Sequence, residues 1–111
     1  MSDRMVKINE LILQQLGEII NREVELPNIF VTITRVTTSA DLKYSTVYIS
    51  VMPDAEAERA VYKLNLLARR LQGELNKKIV LRSIPRLEFR HDDSGQHASE
   101  IDQLLDSLKI E

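Results

Sequence analysis

The first part of the chain carries apolar residues at the spacing of an amphipathic helix. Between residues 3 and 22 they recur every three or four positions, which places them on one helical face. This apolar stripe consists of Met5, Ile8, Ile12, Leu16 and Ile19, widened by Leu11 and Ile20. Ser2 or Asp3 can cap the N-terminus of the helix. Pro27 and Asn28 break the pattern, so the sequence predicts an opening helix over residues 3–22.

Two stretches with β-branched apolar residues at every second position follow this helix. The alternating positions are Ile29, Val31 and Ile33 in the first stretch and Val47, Ile49 and Val51 in the second. This pattern is typical of strands. The polar stretch from Thr37 to Leu42 predicts a turn, in which the side chains of Ser39 and Asp41 would hydrogen-bond nearby backbone. Two adjacent strands with a short connection favour an antiparallel hairpin.

A long helical pattern begins after Pro53 and Asp54, which favour the end of a strand and the start of a helix. Its apolar stripe continues to about residue 78 and consists of Ala57, Ala60, Val61, Leu64, Leu67, Ala68, Leu71 and Leu75. A helix of about 24 residues is long for a domain of this size, so a bend or break midway is expected.

A third strand and a last helix complete the predicted elements. The strand follows Ile79 to Pro85 and alternates charged residues with Leu87, Phe89 and His91. Residues 92–95 predict a loop, and the helix after it has an apolar stripe of Ile101, Leu104, Leu105 and Leu108. The order α-β-β-α(α)-β-α predicts an α+β fold, in which a three-stranded sheet is covered by helices on one face. We interpret the stripes at 5–20, 57–75 and 101–108 as core.

The composition indicates one globular domain over residues 1–111. Hydrophobic residues make up 43% and charged residues 29% of the chain, which is ordinary for a folded domain. Cysteine is absent, which excludes disulfides, thiolate zinc sites and cysteine nucleophiles. The sequence has neither a signal-type N-terminus nor an apolar run of about 20 residues, so we expect a cytoplasmic protein without a membrane partner.

Positive charge is concentrated in one part of the chain. The segment from Arg59 to Arg90 holds nine Lys and Arg residues and two acidic residues, whereas the rest holds six basic and fifteen acidic residues. The net charge of −2 therefore combines +7 in this segment with −9 elsewhere. Such asymmetry is typical of a basic surface for phosphates with an acidic remainder. The alternative is that a long helix simply carries solvated Lys and Arg.

Several motifs resemble those of the ribosome-binding factor A family. The stretch Ser-Ala-Asp-Leu-Lys-Tyr-Ser-Thr-Val-Tyr-Ile-Ser-Val at residues 39–51 is similar to the family's hairpin signature, Ser-x-Asp-Leu followed four residues later by Val-Tyr-Val. The family's Arg-x-x-Pro-x-Leu-x-Phe motif before the last strand is matched by Arg82, Pro85, Leu87 and Phe89, and Asp92-Asp93-Ser94 follows it. The resemblance covers Arg4 to Leu105 and implies a single domain of the bacterial (type II) KH-like fold.

The chain departs from the family at the middle of the long helix. KH domains clamp a nucleic-acid backbone with a Gly-x-x-Gly loop, and ribosome-binding factor A has an Ala-x-Gly kink instead. The corresponding position here is Leu67-Ala68-Arg69, which has no glycine, and Gly73 lies four residues beyond it. Because glycine permits unusual dihedrals at a kink, its absence favours a straighter helix. The charged C-terminal tail that is frequent in the family has no counterpart before Glu111.

The resemblance implies a non-enzymatic factor that binds the 30S ribosomal subunit and its 16S rRNA. It implies a role in late 30S maturation, including 16S rRNA 5′-end processing and growth in the cold, with no cofactor and no small-molecule substrate. We expect a monomer. Arg59, Lys63, Arg70 and Lys77 would share one side of a continuous helix, because they are four and seven residues apart. The candidate RNA-binding residues are Lys43, Lys63, Arg69, Arg70, Lys77, Lys78 and Arg82.

The mode of RNA recognition follows from the side chains available. Lys and Arg suit phosphate oxygens, whereas the chain has no Trp and few aromatic residues for base stacking. Tyr44, Tyr48 and Tyr62 are the only tyrosines. We therefore expect recognition of the RNA backbone and shape more than of base sequence.

Two other functions stay open. In the first, acidic residues outside the basic segment bind a basic ribosomal protein and RNA contact is incidental; these residues are Asp3, Glu10, Glu18, Glu23 and Glu25. In the second, His91, Asp93 and His97 form a small metal-assisted hydrolase. However, Asp and Ser are the expected turn formers at this position, and no catalytic motif accompanies them. We therefore predict no metal site and no catalytic residue.

Overall fold

The computed structural model describes residues 3–79 and 84–92. The opening helix, α1, spans Asp3–Glu23. Its apolar stripe faces the interior, where Ile12, Leu16 and Ile19 are fully buried. The prediction of an amphipathic opening helix is confirmed, and its end is correct to one residue.

The next two elements form the predicted antiparallel hairpin. Its strands are β1, Phe30–Thr38, and β2, Tyr44–Met52. Both extend further toward the turn than the alternating pattern predicts, because Thr38 still pairs with Ser45. The hydroxyl oxygens of these two residues lie 2.8 Å apart, which satisfies the buried Ser45 side chain. The turn therefore covers residues 39–43 instead of the predicted 37–42.

Ser39 and Asp41 hold this turn with their side chains. Ser39 Oγ donates to Asp41 Oδ1 at 2.6 Å and accepts the backbone N–H of Tyr44 at 3.0 Å. Asp41 Oδ1 also accepts the backbone N–H of Lys43 at 3.0 Å. The hydrogen bond from Ser39, followed by that from Lys43, lowers the pKa of Asp41. The interpretation of Ser39 and Asp41 as turn residues is confirmed.

A β-bulge in β1 changes which side chains face the interior. Ile33 and Arg35 pair with successive residues of β2, so Thr34 is the extra residue. Beyond the bulge the alternation is shifted by one position, and Val36 is buried while Arg35 is exposed. The sequence pattern predicted a strand only as far as Thr34, because Val36 lies three residues after Ile33 and so breaks the two-residue alternation.

The predicted long helix is broken at Leu67. After a 3₁₀ turn at Asp54–Glu56, α2 spans Ala57–Leu66 and α3 spans Ala68–Lys78. Leu67 has φ −93° and ψ 3°, a combination that leucine can adopt. Its N–H is shared between the carbonyl oxygens of Lys63 and Leu64, both at 3.1 Å. The expectation of a straighter helix without glycine is wrong, because this break needs no positive φ.

The third strand, β3, spans Arg86–His91 as predicted and pairs in parallel with β2. The sheet order is β1-β2-β3. Parallel pairing requires a long crossover, which α2 and α3 provide. The three described helices cover one face of the sheet, as predicted, and contact its inward side chains, which are Val36, Val47, Ile49, Val51, Leu87 and Phe89.

The core contains the first two of the three predicted apolar stripes. Beside α1 it includes Ala57, Ala60, Leu64, Leu71 and Leu75 of the broken helix, all of them buried. The connection over residues 80–83, the loop after Asp92 and the predicted helix with the stripe at 101–108 lie outside the described residues. Among the helices that the structure does describe, none is both long and apolar enough to cross a membrane.

Candidate nucleic-acid interface

Two side-chain amides join the broken helix to the outer edge of β3. Asn65 accepts the N–H of Phe89 at 2.8 Å and donates to its carbonyl oxygen at 3.1 Å. Gln72 accepts the N–H of Leu87 at 3.1 Å and donates to the carbonyl oxygen of Pro85 at 2.8 Å. The amides thus occupy the place of a neighbouring strand. They hold α2 and α3 beside β3 and so define the grooves between these elements.

A groove of about 880 Å³ lies between α3 and the start of β3. Arg69 of α3 and Arg86 of β3 line it, together with Asn76. Lys43 is adjacent to Arg86, because its carbonyl oxygen accepts the N–H of Arg86 at 2.8 Å. The side chains of Lys43, Arg69 and Arg86 form no ion pair with another described residue. Two arginines without an ion pair suit phosphate oxygens, and Lys43, whose charge also acts on the Asp41 carboxylate, lies beside them.

Lys63 and Arg70 lie beside the C-terminal end of α1. Lys63 Nζ donates to the carbonyl oxygen of Glu25 at 2.8 Å, and Arg70 Nη2 lies 3.9 Å from Glu23 Oε1. The exposed ion pair of Arg70 contributes only about 0–1 kcal/mol, since water screens it. Lys63 is exposed as well, so both cations are accessible to a ligand from solvent.

Lys77 and Lys78 lie in the last turn of α3. Lys77 Nζ is 3.4 Å from Glu74 Oε1, whereas Lys78 has no ion pair with any residue of the described part. The dipole of a helix favours cations at its C-terminus. These two lysines therefore have a structural reason for their position in addition to any role in RNA binding.

The helix that was expected to carry Arg59, Lys63, Arg70 and Lys77 on one side is not continuous. The break at Leu67 places Arg59 and Lys63 on α2 and Arg70 and Lys77 on α3, so the expectation of one continuous helix is wrong. Lys63 and Arg70 remain neighbours of the same segment, whereas Arg69 lies at the β3 groove. Arg82 lies outside the described residues.

Arg86 is a candidate residue that sequence reasoning did not select. It belongs to the basic segment, and it occupies an outward position in the alternating pattern of β3. The alternation therefore could have identified Arg86 as an exposed basic residue. The proximity of Arg86 to Lys43 was not predictable from spacing, because it depends on the parallel pairing of β2 with β3.

The open face of the sheet carries a second cationic feature that was missed. Arg35, Tyr48 and Arg90 form a row across the three strands. The guanidinium carbon of Arg35 lies 3.9 Å from the centroid of the Tyr48 ring, a cation–π contact. Arg90 Nε is 2.6 Å from Glu88 Oε1, which raises the pKa of Arg90 and offsets its charge. This row is therefore a weaker phosphate site than the groove beside β3.

Of the three residues proposed for the alternative metal site, the structure describes His91. His91 and Asp92 lie within the described residues, whereas Asp93 and His97 do not. The carboxylate of Asp92 contacts the hydroxyl of Thr34 and lies 4.0 Å from Arg35 Nε. Within residues 3–79 and 84–92, no group of three or more His, Cys, Asp or Glu residues could hold a metal ion.

Known proteins with the same architecture identify the family. The profile of the family described as Ribosome-binding factor A matches residues 4–105. A ribosome-binding factor A from Akkermansia muciniphila is 35% identical over 108 residues, which cover 97% of this chain and 86% of the relative.

Solved structures agree with this match. The crystal structure of ribosome-binding factor A from Thermus thermophilus aligns with a TM-score of 0.70 and 27% identity, over 78% of this chain and 94% of the other. A homology model of the Thermus thermophilus protein, fitted into a cryo-EM map of its 30S complex, aligns with a TM-score of 0.67 and 29% identity, over 77% and 91% of the chains. The predicted α+β, KH-like fold is confirmed by these likenesses. The chain belongs to the ribosome-binding factor A family.

Proposed function

We propose that this protein is a ribosome biogenesis factor that binds the 30S subunit and its 16S rRNA and assists late maturation of the particle. Membership of the family supports this proposal, because the Thermus thermophilus relative was fitted into a map of a 30S complex. The proposed role includes processing of the 16S rRNA 5′ end and growth in the cold. The protein acts in the cytoplasm as a monomer, by binding alone, without catalysis and without a cofactor.

The groove beside β3 is the observation that carries the proposal. Arg69 and Arg86 reach it from different elements, and neither is neutralised by a carboxylate of the described residues. An arginine fork donates two parallel hydrogen bonds to one phosphate. Two such groups on opposite walls hold an RNA backbone that passes through the groove, and Lys43 extends the cationic surface along the start of β3.

The remaining cations add phosphate contacts outside the groove. Lys63 and Arg70 beside α1, the lysine pair at the end of α3, and Arg82 complete the proposed interface. Contacts of this type fix position and orientation without reading base sequence. The protein therefore recognises the shape and backbone of a structured RNA element, and it holds or displaces that element until maturation is complete.

Sedimentation with purified ribosomal particles tests this function. We expect the protein to migrate with free 30S subunits at low salt and to be absent from 70S fractions. Failure to migrate with 30S subunits would contradict the proposal. RNase treatment distinguishes the protein-interaction alternative, in which Glu10 and Glu18 on the exposed side of α1 meet a basic ribosomal protein. That contact would survive RNase, whereas the proposed one is lost.

A further inference from the structure

The two outer edges of the sheet differ in their backbone hydrogen bonds. Two side-chain amides close the edge of β3, whereas β1 is the strand at the opposite edge. Ile49 of β2 turns its carbonyl oxygen toward β3, where the oxygen accepts the N–H of Asp92 at 2.7 Å. Ile33 pairs with Ile49, so its own N–H and C=O point away from β2, and the alternation of the ladder gives Val31 the same orientation.

These outward backbone groups of β1 are open to a further strand. Those of Val31 and Ile33 have no hydrogen-bond partner among residues 3–79 and 84–92. An unpaired strand edge is a template on which an extended peptide can add. The bulge at Thr34 ends the regular part of the edge, so the template covers residues 30–33 and offers two N–H and two C=O groups.

A trough between α1 and this edge would receive the side chains of an added strand. It consists of two cavities of about 260 and 360 Å³, which adjoin because Ile20 and Val31 line both of them. Phe30 lines the trough at one end and exposes 74% of its surface. Aromatic side chains are enriched in protein–protein interfaces. The trough and Phe30 therefore form an apolar surface that suits another protein.

Gly17 of α1 leaves space on the wall of the trough. Glycine in the interior of a helix lowers its stability relative to alanine. A Cβ at Gly17 would meet no atom within 4 Å, so packing among the described residues does not require glycine here. The space beside Gly17 accommodates a side chain of the added strand.

Charge favours a basic protein segment over RNA as the occupant. Among the described residues that line the trough, Glu18 is the only charged one. Neither Glu18 nor Glu10, one turn beyond the trough wall on α1, forms an ion pair with another described residue. Carboxylates attract lysine and arginine and repel phosphates. At its other end the trough borders the proposed RNA interface, because Leu26 follows Glu25, whose carbonyl oxygen accepts Lys63 Nζ.

We propose that the edge of β1 binds an extended basic segment of a ribosomal protein, which adds to the sheet beside residues 30–33. Apolar side chains of the segment enter the trough, and a lysine or arginine reaches Glu18. The inference rests on the proposed function, because the 30S particle supplies the partner. So short a strand buries less than about 1,200 Å², which is typical of weak contacts. It therefore orients the bound protein and does not hold it on the particle after RNase treatment.

Photo-crosslinking to purified 30S subunits tests this contact. The chain has no cysteine, so a benzophenone can be attached at Gln14→Cys, on the wall of the trough. We expect a crosslink to a lysine- and arginine-rich segment of a ribosomal protein, identified by mass spectrometry of the sedimented particles. Gly17→Leu in the labelled chain should lower the yield per bound protein by about fivefold or more, because the leucine side chain fills the trough.

Gly73→Leu is the matched control, because it makes the same substitution in α3, where an added Cβ also meets no atom within 4 Å. We expect it to leave the yield unchanged, and equal yields in the two variants would overturn the inference. A protein that sediments with 30S subunits but gives no crosslink, or crosslinks only to rRNA, to a second copy or to its own chain, would overturn it as well and leave the proposed function intact. A protein that is absent from the 30S fraction would contradict both.

Discussion

Asn65 and Gln72 lie seven residues apart on opposite sides of the break at Leu67, and their amides bond the same edge of β3. A strand in a parallel pair turns the N–H and C=O of every second residue away from its partner. The two amides satisfy four of these outward groups, which belong to Pro85, Leu87 and Phe89. The break in the helix and the closed edge of the sheet are therefore parts of one arrangement.

Replacement of Asn65 by alanine leaves both backbone groups of Phe89 without their side-chain partner. We expect the free energy of unfolding to fall by about 1–2 kcal/mol, the cost of unpaired and partly buried polar groups. Urea unfolding followed by circular dichroism measures this change. Asn76→Ala is the control, because Asn76 is exposed on α3 and makes no side-chain hydrogen bond to another described residue. An equal loss in both variants would refute the role of the Asn65 amide.

The salt dependence of 30S binding reports on the groove arginines. For about four phosphate contacts, the logarithm of the association constant should fall with the logarithm of salt concentration at a slope of about −3. Removal of two contacts by Arg69→Ala with Arg86→Ala should make the slope shallower by about 2. A titration of labelled protein with 30S subunits at several salt concentrations measures both slopes.

Arg4→Ala is the control for this titration. Arg4 is exposed in the first turn of α1, at the opposite end of that helix from Lys63 and Arg70. We expect its slope to equal that of the unsubstituted protein. A slope that stays the same in the Arg69 and Arg86 variant would remove the groove as the phosphate site.

Charge reversal beside α1 and at the end of α3 should also weaken 30S binding. The ion pairs of Arg70 and Lys77 are long and exposed, so Arg70→Glu with Lys77→Glu should change stability by no more than about 1 kcal/mol for each residue. Binding should weaken because the charge near the RNA changes sign. Co-sedimentation and circular dichroism measure the two effects. Arg4→Glu with Lys7→Glu makes the same charge change on exposed positions of α1. If both double variants bind alike, Arg70 and Lys77 have no specific role.

The periodicity of apolar residues predicted α1 and β3 closely, because burial on one face imposes it. It could not predict the bulge at Thr34 or the break at Leu67. The break uses backbone angles that leucine can adopt, and the bulge needs no glycine. Both are determined by tertiary contacts. Val36 is drawn into the core beyond the bulge, and Asn65 reaches the edge of β3 beside the break.

The candidate site was predictable in composition but not in geometry. The concentration of charge identified Arg69 and Lys63 as candidates. The break in the helix divides the basic residues between α2 and α3, and the position of Lys43 beside Arg86 follows from the parallel pairing of β2 with β3. The contact between Lys43 and Arg86 leaves no local signal in the sequence, because the two residues are distant along the chain.

The pKa of Asp41 should report the structure of the hairpin turn. In the folded protein it lies below the ordinary value of 3.8, because the carboxylate accepts hydrogen bonds from Ser39 and Lys43. A lowered folded pKa means that the contribution of Asp41 to stability is complete well above pH 3.8 and is lost as pH falls through the folded value. Ser39→Ala removes the larger cause, so the pKa should rise toward 3.8.

An NMR titration of the Asp41 carboxyl group measures this shift. Ser50→Ala is the control, because Ser50 lies on β2 and is exposed, far along the hairpin from the turn. We expect the Ser50 variant to keep the lowered pKa. A pKa that also stays low in the Ser39 variant would assign the shift to the backbone N–H of Lys43, and the Ser39 hydroxyl would then have no electrostatic role in the turn.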